Sequence, residues 1–164
     1  GPGAPLPEVF RDALMRPLGA GDDWSWRGYD DAWVDLRGRR VQSVPGGTHW
    51  GGGVSIGARD QARLGQLLLD GGLHGSVQIV PEAWVRFMFE PCAIAPFYGG
   101  LLWLNRDGRS FAGASTGSAC MVGAGGHLTW VEPAHDAVVV LRWMDPAATA
   151  GFTQRMAAGL QAMA

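Results

Sequence analysis

"CMVGAGGHLTWVEPAHDAVVVLRW", residues 120–143, decides how the rest of the chain is read. Apolar runs at Ala119–Val122 and His127–Val131 flank a glycine-rich knot, Gly123-Ala124-Gly125-Gly126. Glu132, Pro133 and Asp136 mark a turn, and Ala137–Trp143 follows as an unbroken apolar strand. Connections this short join antiparallel neighbours, because a parallel pair needs a crossover of about a dozen residues or more. Glycine within a strand pattern marks a bulge or a place where something approaches the backbone closely. The stretch therefore predicts an antiparallel meander with bare backbone at residues 123–126.

Toward the N-terminus, strand signals continue at Ser110–Ala112 and Gly99–Leu104, and Val54–Ile56 is a short apolar segment. Helical periodicity appears in four places. Leu6–Met15 carries Leu6, Val9, Phe10, Ala13 and Leu14 on one face. Ala58–Asp70 places Ala62, Leu64, Leu68 and Leu69 inside, with Arg59, Asp60 and Arg63 outside, and Gly71-Gly72 stops it. Pro81–Phe89 starts on proline and buries Trp84, Val85 and Met88. Thr149–Met163 aligns Phe152, Met156 and Leu160. Residues 19–48 lack periodicity but hold Trp24, Trp26, Tyr29 and Trp33, which form either a satellite core or a wall over a site. Helices, then strands on short turns, then a last helix make the class α+β, an antiparallel sheet covered by helices.

At 164 residues the chain has the length of one domain with a real core, so residues 1–164 are read as a single domain. A net charge of -2 and the lack of a basic cluster beyond Arg37, Arg39 and Arg40 argue against a nucleic-acid partner. No apolar run reaches the roughly 18 residues needed to span a bilayer. All thirteen cationic side chains are arginine, a sign of GC-rich coding, so no lysine base or Schiff base can come from these residues. Cys92 and Cys120 do not make a disulfide framework, and His49, His74, His127 and His135 show no metal-site spacing, so neither a metal nor a cofactor is expected. Gly1-Pro2 resembles the scar of a protease cut, which puts the natural start elsewhere.

The search for a nucleophile finds Gly113-Ala114-Ser115-Thr116-Gly117, a G-x-S-x-G match with His127, His135 and Asp136 downstream. A nucleophile elbow needs a helix directly after the serine, and residues 117–122 read as turn and strand instead. The match is read as a hairpin turn of small residues.

Several stretches together resemble one superfamily. "HWGGGVSIGARDQARLGQLLLDGG" (49–72), "VPEAWV" (80–85), "YGGLLWLN" (98–105) and "GAGGHLTWVEPAHDAVVVLRW" (123–143) are similar, in order, to the C-terminal part of the serine β-lactamase and penicillin-binding-protein superfamily. The resemblance is to its class C-like branch, which includes esterases, D-amino-acid peptidases and 6-aminohexanoate-dimer hydrolases. It implies an antiparallel sheet with helices on both faces. It also implies a site whose S-x-x-K nucleophile and Y-x-N motif are not in these residues. Gly123-Ala124-Gly125 stands where the third motif is expected, with Cys120–Val122 as the alternative register. The implied roles are a backbone N–H of Ala124 in the oxyanion hole and substrate contacts from Gly123, Gly125, His49 and Trp50, with Trp24 and Trp26 walling the cleft. Without K-T-G there is no cation for a β-lactam carboxylate, so a small-molecule ester or amide is the expected substrate. The expected function is the C-terminal portion of a serine hydrolase completed by an N-terminal segment or a partner chain. The alternative is a shortened, nucleophile-less member that binds a ligand or runs other chemistry. An uncovered sheet edge predicts homo-oligomerisation in either case.

Overall fold

The structure, a computed structural model, describes residues 3–44 and 53–163. His49 and Trp50 lie outside the described residues. The chain divides into two compact units, Gly1–Asp60 and Gln61–Ala164.

In the first unit, α1 (Leu6–Phe10) continues as a wider helical coil over Arg11–Met15. Its bonds run five residues back, from Arg16 N–H to Arg11 C=O at 2.9 Å and from Ala20 N–H to Met15 C=O at 3.0 Å. Such turns rotate every later side chain relative to an α-helix. Ala13, expected inside, is therefore exposed, while Met15 and Leu18 are buried; Leu6, also expected inside, is exposed at the first position of α1, ahead of the wide coil.

Four short strands follow: β1 (Ser25–Trp26), β2 (Trp33–Leu36), β3 (Arg39–Gln42) and β4 (Val54–Ser55). β1 pairs with β4, and β2 with β3, both antiparallel. The β2–β3 hairpin corrects the reading of residues 19–48 as irregular. It is set by its turn and not by an apolar face. Arg37 (φ 54°) and Gly38 (φ 78°) both take positive φ, the two-residue geometry that matches strand twist. Asp35 Oδ1 accepts the Gly38 N–H at 2.8 Å. Trp24 and Trp26 both pack edge-to-face on Phe10, with centroids 5.1 and 5.6 Å away.

The chain enters the second unit within α2 (Ala58–Leu69). Asp60, expected on the outside of this helix, is buried, and its carboxylate accepts the Gly21 N–H at 3.1 Å. Next come the small hairpin β5 (Leu73–His74) and β6 (Val77–Gln78), then α3 (Glu82–Met88). The main sheet is β7 (Trp103–Leu104), β8 (Ala119–Gly123), β9 (His127–Glu132) and β10 (Ala137–Leu141), and α4 (Pro146–Met163) ends the chain. Strand order is β10-β9-β8-β7, antiparallel throughout, so the class is α+β as read.

The register puts Cys120, Trp130 and Val139 in one row across the sheet. That row faces α4, whose Phe152, Met156, Ala157 and Leu160 close the core around Trp130. The opposite face carries Ala119, Val131 and Val138 in a row, and Leu68 and Met88 of α2 and α3 pack on its Ala119 end. Gly65 lets α2 approach this face: a Cβ there would stand 2.6 Å from Val138 Cγ1 and 2.9 Å from Thr129 Cγ2. Helices on both faces of this sheet are what the family resemblance implied; the strands divide their side chains between the two because a strand alternates faces at every residue.

Two predicted strands are shorter or absent. Of Gly99–Leu104 only Trp103–Leu104 pairs, and Ser110–Ala112 is not a strand. Buried Asn105 explains the second difference. Its Nδ2 donates to the carbonyls of Phe111, Ala114 and Ser115, and its Oδ1 accepts the Phe111 N–H at 2.9 Å. One side chain thus satisfies the backbone that a partner strand would have satisfied.

Candidate functional site

The strand pairing of β7 and β8 determines which backbone groups are open. Asn105 N–H donates to Ser118 C=O at 3.1 Å, and Leu104 N–H turns the other way, to Phe97 C=O at 2.8 Å. In an antiparallel ladder the bonding direction alternates. Ser118 and Cys120 therefore face β7, Ala119, Met121 and Gly123 face β9, and Val122 faces the β7 side again. In register, Leu101 would stand opposite Val122, because Trp103 pairs with Cys120. Leu101 instead takes a positive φ of 64° and is strongly exposed, and the chain folds back through a Tyr98–Trp103 bridge. Among the described residues, the outer half of β8 is thereby left without a strand partner on this side.

A groove of about 400 Å³ lies along this edge, lined by Phe97, Trp103, Ser110, Phe111 and Val122. Phe97 stacks on Trp103 at 5.8 Å. At the end of β8 the chain makes a three-residue turn, Ala124-Gly125-Gly126, and Gly123 pairs with His127 across it. Gly125 and Gly126 have φ of 84° and 72°. A side chain at Gly126 would fall on the Met144 carbonyl, since the backbone crosses there and Met144 N–H donates to Gly126 C=O at 3.0 Å. The close approach expected at this knot is thus partly the chain's own return from β10 to α4. The Ala124 N–H makes no backbone hydrogen bond among the described residues. A second cavity, of about 250 Å³, lies behind the turn and shares Phe111 and Val122 with the groove.

Of the residues singled out from sequence, Gly123, Ala124 and Gly125 line the second cavity and not the groove. Trp24 and Trp26 belong to the first unit, where Phe10 holds them.

Ser115 is engaged elsewhere. Its Oγ donates to Glu132 Oε1 at 2.5 Å and its N–H donates to Oε2 at 2.9 Å. Ser118 Oγ donates to Oε2 at 2.6 Å, Ala134 N–H to Oε1 at 3.2 Å, and Trp130 Nε1 to Ser118 Oγ at 3.2 Å. Burial pushes the Glu132 carboxyl pKa up, but the hydroxyl and backbone donors outweigh it, and the net shift is downward. A carboxylate held ionised by four donors is a poor base, and no imidazole bonds to Ser115 among the described residues. This cluster ties the 105–118 segment, and with it the Phe111 wall, to the end of β9. The sequence reading missed Glu132, taking it only as a turn marker. The available signal was strand parity, which puts Glu132 on the same inward face as Leu128 and Trp130.

Burial also raises the Cys120 thiol pKa, with the Glu132 charge adding to it, so this thiol is inert. Among the described residues no group of three His, Cys, Asp or Glu is placed to hold a metal, and no helix is long and apolar enough to cross a membrane.

No family model matches the chain. It is similar to a 6-aminohexanoate-dimer hydrolase of Paenarthrobacter ureafaciens, 29% identical over 110 residues that take in 58% of this chain. The likeness is to a hydrolase. It supports a distant relationship to the β-lactamase-like hydrolases at the level of the superfamily. The match spans 26% of that protein's length.

Proposed function

We propose that this chain forms the sheet-side wall of a β-lactamase-like serine hydrolase site acting on an ester or amide. In this reading the outer edge of β8 and the turn after it receive the acyl group, and the Ala124 N–H donates to the oxyanion. The nucleophilic serine and its lysine come from residues outside these 164, because the chain contains no lysine. The carrying observation is that, among the described residues, the outer edge of β8 beside Phe97 and Trp103 has no strand partner and the Ala124 N–H beyond it makes no backbone hydrogen bond. The distant hydrolase relationship supports the same reading. The groove offers no lysine or arginine for a substrate carboxylate, which favours an uncharged ester or amide over a β-lactam.

The test uses the natural protein as its gene encodes it, with p-nitrophenyl butyrate as substrate. Ala124→Pro removes the N–H, and kcat is expected to fall about 10²–10³-fold with KM little changed, as for loss of one oxyanion donor. A urea titration of the variant establishes that it is folded. Unchanged kcat in a folded Ala124→Pro protein refutes the assignment. Stoichiometric fluorophosphonate labelling of Ser115 in residues 1–164 alone would instead place the nucleophile here.

A further inference from the structure

The cavity behind the glycine turn has a chemistry of its own. Its floor is apolar, built from Phe111, Leu128, Leu141 and Met144, and its rim carries His127 and Thr149. Leu128 and Leu141 are neighbours across β9 and β10, so the floor is part of the sheet. Phe111 is held from behind by both polar atoms of the Asn105 amide. The rim is fixed as well: His127 meets Trp143 edge-on at 4.4 Å, and Trp143 Cζ3 comes to 3.6 Å of where a Gly125 side chain would begin. Trp143 reaches that place only through a positive φ of 58°, a conformation costly for a bulky residue, while staying 77% exposed.

We infer that this cavity is a binding pocket for an uncharged alkyl or aryl group. Its 250 Å³ is below the roughly 300–1,000 Å³ of whole-ligand pockets, so it takes one substituent of a larger molecule or a small molecule entire. No lysine, arginine or carboxylate lines it. Two charges adjoin lining residues along the chain, Arg142 after Leu141 and Asp145 between Met144 and Pro146; neither lines the cavity, and Asp145 caps α4 through the Ala147 N–H at 2.9 Å. An anionic ligand would lose its hydration in this pocket without gaining a cation. As a substrate pocket, the assignment rests on the proposed hydrolase reading; as a binding pocket it does not.

Binding is therefore measured on the chain itself, without turnover, by saturation-transfer NMR and calorimetry. The probes are benzamide and hexanamide, compared with benzoate and hexanoate. The amides are expected to bind saturably in the millimolar range, and the carboxylates at least about tenfold more weakly. Thr149→Trp, which fills the rim, is expected to weaken amide binding by at least about tenfold. Equal binding of benzoate, an unaltered affinity in Thr149→Trp, or no saturable amide binding overturns the assignment. If amides bind as expected while Ala124→Pro leaves ester turnover intact, the pocket stands and the hydrolase reading falls.

Discussion

Glu132→Gln isolates what the buried carboxylate does. Each of its oxygens accepts one backbone N–H and one serine hydroxyl: Oε1 takes Ala134 N–H and Ser115 Oγ, and Oε2 takes Ser115 N–H and Ser118 Oγ. A glutamine amide has only one oxygen. The hydroxyls can rotate and become acceptors, but a backbone N–H cannot. Either orientation of the amide therefore sets its NH₂ against a backbone donor. The lesser loss is at Ala134, where the bond is already 3.2 Å. One buried unsatisfied donor costs about 1–3 kcal/mol, and the remaining bonds weaken when the acceptor loses its charge. Relief of the buried charge offsets part of this, leaving an expected loss of about 2 kcal/mol. With a urea m-value of about 2 kcal/mol/M, the midpoint falls by about 1 M. Hydrogen exchange should show residues 105–118 losing protection first. The pH dependence has a definite sign. A carboxyl pKa depressed by folding adds stability that is complete above its unfolded value, about 4.3, and is lost as pH falls through the folded value. Glu132→Gln should lack that acid-side component. A midpoint shift below about 0.3 M, or an unchanged acid-side slope, refutes the argument that this carboxylate holds the loop.

Three further outcomes follow from local geometry. Gly126→Ala should cost more than about 2 kcal/mol by urea titration, since positive φ alone costs about 1–2 kcal/mol and the new Cβ also meets the Met144 carbonyl. Gly38→Ala has the same sign of φ but open space around it, so it should cost only about 1 kcal/mol and be felt only in the β2–β3 hairpin. In the folded chain, iodoacetamide at pH 8 should modify exposed Cys92 and spare Cys120, by mass spectrometry; both should react in urea, and rapid modification of Cys120 in the native state would contradict its burial.

Much of the second unit was legible in the sequence because its signals are local and periodic. The meander at residues 119–143 shows alternating or continuous apolar residues broken by short turns, and three of the four sheet strands fall within two residues of where that pattern puts them. The helix at the C-terminus was recognised by the same means, from Phe152, Met156 and Leu160. The hairpin of the first unit was missed because its strands are four residues long and mostly exposed, so nothing but the Arg37-Gly38 turn specifies it.

The glycine knot divides the two kinds of information most clearly. Its sequence alone indicated a turn between antiparallel strands and backbone stripped for close approach. Only the tertiary structure decided that Met144 makes that approach, that a positive φ at Leu101 leaves Val122 without a β7 partner, and that Asn105 and Glu132 hold the wall beside it. Periodicity records which face of an element is buried. It carries no record of which distant polar group completes a buried side chain's hydrogen bonds, or of where a strand's neighbour ends.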